Sequence, residues 1–197
     1  MRPECREFTE IVAKHFVTKG PVLEIGSLQV DGQEGFADLR PVFPGLRYVG
    51  CDMRDGPGVD LVCNASDLDI PDNSFGVVVS VDTLEHIAEP WKVMAECARV
   101  LNKEHGLAIF TAPFNFPVHE YPNDYWRMTG AGMRVLLSEF AGFDLLVYEA
   151  GQMFAPHSVG GAAFRMGMLA DEEYGFSSLR SDLMKWQLRY AWGSHEQ

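Results

Sequence analysis

Positive charge is scarce in this chain: 16 Lys and Arg stand against 28 Asp and Glu over 197 residues, a formal net charge of -12. A surface that acidic repels phosphate backbones, and no cluster of Lys or Arg offsets it locally, so nucleic acid is not an expected partner. Long apolar runs are also missing. No segment approaches the roughly 20 residues that span a bilayer, and the opening Met1-Arg2-Pro3-Glu4-Cys5-Arg6-Glu7 lacks the apolar centre of a signal peptide, so no membrane partner is expected and a cytoplasmic location is. Cysteine is sparse, with Cys5, Cys51, Cys63 and Cys97 scattered outside any C-x-x-C spacing. Two of them fall in predicted strands, and buried free thiols are expected in preference to zinc ligands or disulfides. A fourth absence is the G-x-G-x-x-G fingerprint. Gly26 is followed by Ser27, Leu28, Gln29 and Val30 before Asp31-Gly32, so side chains stand where a pyrophosphate needs bare backbone, which argues against NAD or FAD.

What the chain does have is a segment from Pro21 to Asp52 around which the rest is organised. Val22-Leu23-Glu24-Ile25-Gly26 opens it and Tyr48-Val49-Gly50-Cys51-Asp52 closes it. Both read as short buried strands with polar ends, the pattern of neighbouring parallel strands delivering side chains to the carboxyl edge of a sheet. Ligands bind at that edge in open α/β sheets. Gly26 permits a tight turn and close approach, and Asp52 can accept two hydrogen bonds from a ribose diol. A nucleoside without phosphates fits this pattern, S-adenosylmethionine being the common one, and Glu24 suits a cationic, amine-bearing ligand. An ordinary crossover with a charged residue at a strand end fits it as well.

The remaining segments extend the same architecture. Phe8, Ile11, Val12, His15 and Phe16 recur at helical spacing and predict a helix of about four turns that stops near Gly20, with His15 packed in the core. Phe36, Leu39 and Phe43 suggest a short helix limited by Pro41 and Pro44. Val59 to Cys63 reads as a short third strand, and Phe75 to Val81 as a fourth buried on both faces. Asp82-Thr83-Leu84-Glu85-His86 follows it at the ligand edge. Pro90 then starts a helix with Trp91, Met94, Cys97, Ala98 and Leu101 inward, and Leu107 to Ala112 is the fifth strand. Thr129 caps a helix carrying Met133, Leu136, Leu137 and Phe140, and Phe143 to Glu149 is the sixth strand. Gly151 to Gly161 reads as loop and Ala162 to Ala170 as helix, leaving a seventh strand undetected. A last helix aligns Leu179, Leu183, Trp186 and Tyr190. Met184, Leu188 and Trp192 widen its stripe enough to suggest either a homodimer through this C-terminal helix or plain docking on the sheet.

In order and spacing, Leu23-Glu24-Ile25-Gly26-Ser27, Gly50-Cys51-Asp52, Ala65-Ser66-Asp67-Leu68, Phe75 to Val81, Leu84-Glu85-His86-Ile87 and Glu96 to Leu101 resemble class I S-adenosylmethionine-dependent methyltransferases, most of all the small type 11 methyltransferase-domain group. The resemblance spans roughly residues 20 to 150. It implies an α/β, Rossmann-like, doubly wound and mainly parallel sheet of six or seven strands. One domain over residues 1–197 is expected, with an N-terminal helix and a C-terminal helical extension. S-adenosylmethionine is the implied cofactor, with S-adenosylhomocysteine as product. Glu24 and Gly26 are assigned to its methionine end, Asp52 to the ribose, Met53 and Leu68 to the adenine faces and Asp67 to its amine, with Ser27 a further cofactor-binding candidate. Val81 to His86 would form the floor under the sulfonium. Two departures stand out: Leu28 and Val30 occupy positions where glycine is usual, and Gly76 replaces a common aspartate.

Pro113 to Thr129 is too long and too aromatic for a passive connection. It is expected to cover a small-molecule acceptor, with Glu85, Phe114, Tyr121, Asp124, Tyr125, Trp126 and Arg127 as binding candidates. The stretch from His119 to Arg127 is similar to one in a subset of the family associated with sugar and natural-product genes. A bland alternative has Asp124 pairing with Arg127 while the loop merely caps the sheet. Methyl transfer mainly requires alignment, but a hydroxyl acceptor must also lose a proton, a task suited to histidine. His119 is the first candidate and His86 the second. Glu85, His86 and His119 can be imagined as metal ligands, yet their spacing matches no metal signature, so no metal is expected. The expected activity is methyl transfer to a small molecule, hydroxyl oxygen favoured, and the rival is a non-catalytic subunit or nucleoside sensor on the same fold.

Overall fold

A computed structural model describes residues 1–119, 122–152, 155–171 and 175–191. Five strands run parallel: β1 (Val22–Ile25), β2 (Tyr48–Asp52), β3 (Leu61–Val62), β4 (Val77–Val81) and β5 (Leu107–Pro113). Two more, β6 (Asp144–Gln152) and β7 (Ala155–Phe164), complete one sheet in the order β3-β2-β1-β4-β5-β7-β6, with β7 antiparallel to both neighbours. The chain order reverses between β1 and β4, which opens a crevice at their carboxyl ends.

The strand period of two explains the layers. Leu23, Ile25, Val78, Ala108 and Phe110 point to one side, where helices α2 (Pro90–Val100) and α3 (Gly130–Leu137) cover them. Val22, Val77, Val79, Leu107 and Ile109 point to the other, beneath α1 (Pro3–His15) and α4 (Gly175–Ala191). Thr129 caps α3, its hydroxyl accepting from the Gly132 amide at 3.0 Å. His15 is buried and contacts Asp182 of α4 through Nε2 at 3.0 Å, while Trp186 donates from Nε1 to the Glu4 carbonyl. Met184 and Leu188 on α4 are exposed, and Trp192 lies outside the described residues. Among the described residues no helix is long and apolar enough to cross a membrane.

The largest departure from the sequence reading is β7, where a loop and then a helix are expected. Its centre, Val159 to Ala163, is small because bulky neighbours press on it from both faces. A Cβ at Gly160 would come within 2.7 Å of the Phe8 ring, and one at Gly161 within 2.7 Å of Met133. Packing selects glycines that weaken the strand signal itself. The helix suggested by Phe36, Leu39 and Phe43 is only a 3-10 turn, Arg40–Val42, with Phe36 exposed. β3 shrinks to two residues, and β4 starts at Val77, Phe75 making a single bridge to Leu101. Cys51 and Cys63 are joined in a disulfide, contrary to the expectation of free thiols. The β2–β3 register pairs Cys51 with Leu61 and Asp52 with Val62, and it sets the two cysteine Cα atoms 6.4 Å apart. Cys5 and Cys97 are buried and free, as expected.

Candidate functional site

A cavity of about 630 Å³ opens at the carboxyl ends of β1, β2 and β4 and extends under the loop that follows β5. Gly26 sits at its base with φ +80°, its amide donating to the Cys51 carbonyl at 2.8 Å. A Cβ there would lie 2.2 Å from the Thr83 hydroxyl, so the crossing of the β1 and β4 turns demands glycine whatever the ligand. Ser27, Asp52, Met53 and Val81 also line the cavity. The Asp52 Oδ1 accepts from the Arg54 amide at 2.9 Å, and Met53 stands 74% exposed at the rim.

Two assigned adenine contacts lie elsewhere. Leu68 is buried in the core with its amide donating to Glu96, and Asp67 is exposed in the turn closed by its amide and the Asn64 carbonyl. Asn64, Ala65 and Ser66 line the cavity in their place. Four residues separate the strand end from Asp67, and the turn consumes that length. Glu24 lines the cavity and is 4% exposed, its Oε2 accepting from the Tyr48 hydroxyl at 2.9 Å. Burial pushes its carboxyl up to about 8, so the ready-made anion expected of it is a neutral acid near pH 7.

The other end belongs to the segment after β4 and the loop after β5. The loop folds back onto that segment: the Tyr125 amide donates to the Glu85 carbonyl at 2.7 Å, and Trp126 Nε1 donates to the Ile87 carbonyl at 2.8 Å. Arg127 donates to both oxygens of Asp124 and to the Phe116 and Pro117 carbonyls. Hydrogen bonding to Arg127 holds the Asp124 carboxyl far below its ordinary range. Asp124, Arg127 and Trp126 thus brace the loop and do not line the cavity. Phe114 also does not line it, packing against the core. Phe116 and Tyr125 do line it, and Tyr121 lies outside the described residues.

Glu85, His86 and His119 meet here, with one donor atom of each within 4.8 Å of the others. The His86 ring donates from Nδ1 to the Asn123 carbonyl at 2.6 Å and places Nε2 3.8 Å from Glu85 Oε1. His119 Nδ1 lies 3.2 Å from both the Pro117 carbonyl and Asp124 Oδ2. The two rings stand edge to face with centroids 4.8 Å apart. Burial lowers the His86 pKa, and it pushes Glu85 up to about 8 with help from the Asp82 charge. Among the described residues two buried side-chain polar atoms lack a hydrogen-bond partner, Ser27 Oγ and Glu85 Oε2. Both residues line the same cavity.

Residues 44–110 match the family model of a methyltransferase domain. Among solved structures, a chain of the Haloferax volcanii complex between the Trm112 methyltransferase activator and a methyltransferase is similar at 17% identity. That match covers 82% of this chain and 89% of that one with a TM-score of 0.58. An S-adenosylmethionine-dependent methyltransferase from Aquifex aeolicus matches at 18% identity over 82% and 93% of the two chains, TM-score 0.57. One from Mesorhizobium loti matches at 14% over 81% and 98%, TM-score 0.56. No curated protein matches. The chain has the fold of these methyltransferases, and its residues 44–110 resemble their family.

This end of the cavity has the chemistry to take S-adenosylmethionine, on which the Aquifex and Mesorhizobium proteins depend. Gly26 leaves open backbone, Ser27 Oγ is a polar atom in need of a partner, and Asp52 is the carboxylate one strand away. Sequence reading missed one prominent wall residue, Arg2. Its guanidinium donates to both oxygens of Asp82, at 2.7 and 3.3 Å, and to Ser158, while it lies 5.3 Å from the Phe116 ring centroid. Burial would raise the Asp82 carboxyl, but Arg2 overrides it and holds it below its ordinary value. Asp82 itself adopts φ +50°. Only its place beside Glu85 at a strand end hinted at a role, and nothing near Arg2 in sequence pointed to a partner 80 residues away.

Proposed function

We propose that this chain is an S-adenosylmethionine-dependent methyltransferase that acts on a hydroxyl oxygen of a small-molecule acceptor, with sugar and natural-product hydroxyls the first class to test. The reading rests on one observation: a single cavity joins the Gly26–Asp52 turns to the Glu85-His86-His119 cluster under the aromatic loop. Bound S-adenosylmethionine supplies a methyl group already activated for in-line displacement, so the chain must chiefly align the acceptor and exclude water. Phe116 and Tyr125 offer apolar and stacking walls for that purpose.

A hydroxyl acceptor has to give up its proton, whereas a carboxylate would gain nothing from a histidine. His119 would serve as that base: it lines the cavity, and the Asp124 carboxylate 3.2 Å from its Nδ1 supports the reading by orienting the ring. Glu24, Gly26, Ser27, Asp52 and Met53 would hold the cofactor, with Asn64 to Ser66 as the far wall.

Calorimetric titration with S-adenosylhomocysteine tests the cofactor end, and transfer of labelled methyl groups to a hydroxyl panel tests the acceptor. His119→Ala should lower the rate about 10²–10⁴-fold, the usual contribution of a general base, with cofactor affinity unchanged. Full activity of that variant across neutral pH would remove His119 from the role. Transfer to amines alone would replace the hydroxyl reading.

A further inference from the structure

We propose that Glu85, His86 and His119 form a binding site for one divalent transition-metal ion of the zinc type, set in the acceptor end of the cavity. The donor set is two imidazoles and one carboxylate, the composition of open metal centres that keep a position for water or substrate. Three donor atoms lie within 4.8 Å of one another, and ligands about 2.1 Å from a tetrahedral ion sit roughly 3.4 Å apart. Small rotations of the side chains therefore close the shell.

Two independent features favour an ion over a simple hydrogen-bonded cluster. Glu85 is 1% exposed, faces the cavity, and its Oε2 has no hydrogen-bond partner among the described residues. A buried carboxyl oxygen left without a partner is costly, and a cation beside it removes that cost. Both rings, moreover, are oriented from behind as metal-ligating histidines are. His86 Nδ1 is held by the Asn123 carbonyl, and His119 Nδ1 by Asp124 and the Pro117 carbonyl, with Asp124 fixed in turn by Arg127. Those contacts orient the rings, with His86 Nε2 3.8 Å from Glu85 Oε1 and a ring nitrogen of His119 within 4.8 Å of both. The spacing shows no metal signature because 33 positions separate His86 from His119.

The existence of the site does not depend on the hydroxyl reading, but its consequence does. With the ion bound, the acceptor oxygen takes the open position and its proton passes to solvent as the cation stabilises the alkoxide. The oxygen lone pair then forms the bond to the methyl carbon as the carbon–sulfur bond breaks, and the electron pair leaves on sulfur as a neutral thioether. His119 serves as base only in the metal-free protein.

The test uses the full chain, stripped by dialysis against a chelator and then equilibrated with Zn²⁺ or Co²⁺. One ion retained per chain, and the intense visible absorption of four-coordinate Co²⁺, are the expected results. Glu85→Gln and His86→Ala should abolish retention, and Asp124→Asn, which loosens the support of His119 and the Arg127 clamp but leaves all three ligands in place, should weaken it about 10–100-fold. S-adenosylhomocysteine titration of each variant reports on folding and on the cofactor end separately. Absence of retained ion in the parent protein, or retention unchanged in folded Glu85→Gln, overturns the proposal. Ion retention without S-adenosylhomocysteine binding would leave the metal site standing and remove the cofactor assignment instead.

Discussion

Replacing Glu24 by Gln removes one titrating group from the centre of the sheet, and the structure fixes both the sign and the size of the effect. Glu24 lies on β1 between Gly50 and Val79, buried against Tyr48, and its carboxyl is raised from 4.5 to about 8 by loss of water. A group whose folded-state pKa is raised holds its proton in the folded protein after the unfolded chain has released it. Its contribution is therefore fully present below about pH 4.5 and is lost as pH climbs toward 8. Each pH unit in that window costs about 1.4 kcal/mol per proton, so between pH 5 and pH 7 the parent protein should lose roughly 2–3 kcal/mol through this one residue. Glutamine has the shape of the protonated acid and can still meet the Tyr48 hydroxyl. Glu24→Gln should hence be close to the parent in stability at pH 5 and more stable by roughly 2–3 kcal/mol at pH 7. Urea denaturation of both proteins at half-unit intervals gives the difference directly, because the other acids of this -12 chain are common to both. A difference that stays flat from pH 5 to 8 would show that Glu24 is ionised in the folded state, and the burial argument would be wrong.

Arg2→Ala should destabilise by about 3–5 kcal/mol, because it strands the buried Asp82 carboxylate, and Asp82→Asn in that background should recover part of the loss in a denaturation experiment. Gly26→Ala combines φ +80° with a Cβ driven into Thr83. A loss of at least about 1–3 kcal/mol is expected together with loss of S-adenosylhomocysteine binding, and unaltered affinity would count against the assigned cofactor end. Gly160→Val forces a side chain into the Phe8 ring and should lower stability by about 1–3 kcal/mol despite the better strand propensity of valine; a rise in thermal midpoint would show that β7 is not limited by packing.

How much of this was legible depends on whether the forces acting on a residue are local. β4 and β5 could be read because burial on both faces leaves runs that are apolar but for Ser80 and Thr111, and the start of α3 because Thr129 caps it within three residues. β7 could not, since its glycines answer to Phe8 and Met133, residues from two other elements. The same division runs through the site. Gly26 and Asp52 were readable as strand ends facing the ligand edge. The turn after β3 was placed two or three residues too far along, because the position at which a two-residue strand releases the chain is set by its partner and not by its own composition. Arg2 and the Cys51–Cys63 pair depend on register and long-range contact.

The aromatic loop brings these strands of argument together. Two of its side chains expected to meet the acceptor are instead spent on bracing, Arg127 on Asp124 and two carbonyls and Trp126 on the Ile87 carbonyl, while Tyr125 binds the Glu85 carbonyl through its amide and keeps its ring in the cavity. This places the loop and the segment after β4 in one hydrogen-bonded unit. Glu85 belongs to it twice, its carbonyl holding Tyr125 and its carboxyl facing the cavity. His119 is oriented by the same Asp124 that Arg127 clamps. Residues that touch no ligand therefore determine where the two histidines stand, and removing Arg127 should disturb the acceptor end while sparing the cofactor end. Arg127→Ala is expected to slow methyl transfer and weaken metal retention with S-adenosylhomocysteine affinity unchanged. Equal losses at both ends would mean that the loop supports the whole cavity, and the division into two independently built ends would have to be abandoned.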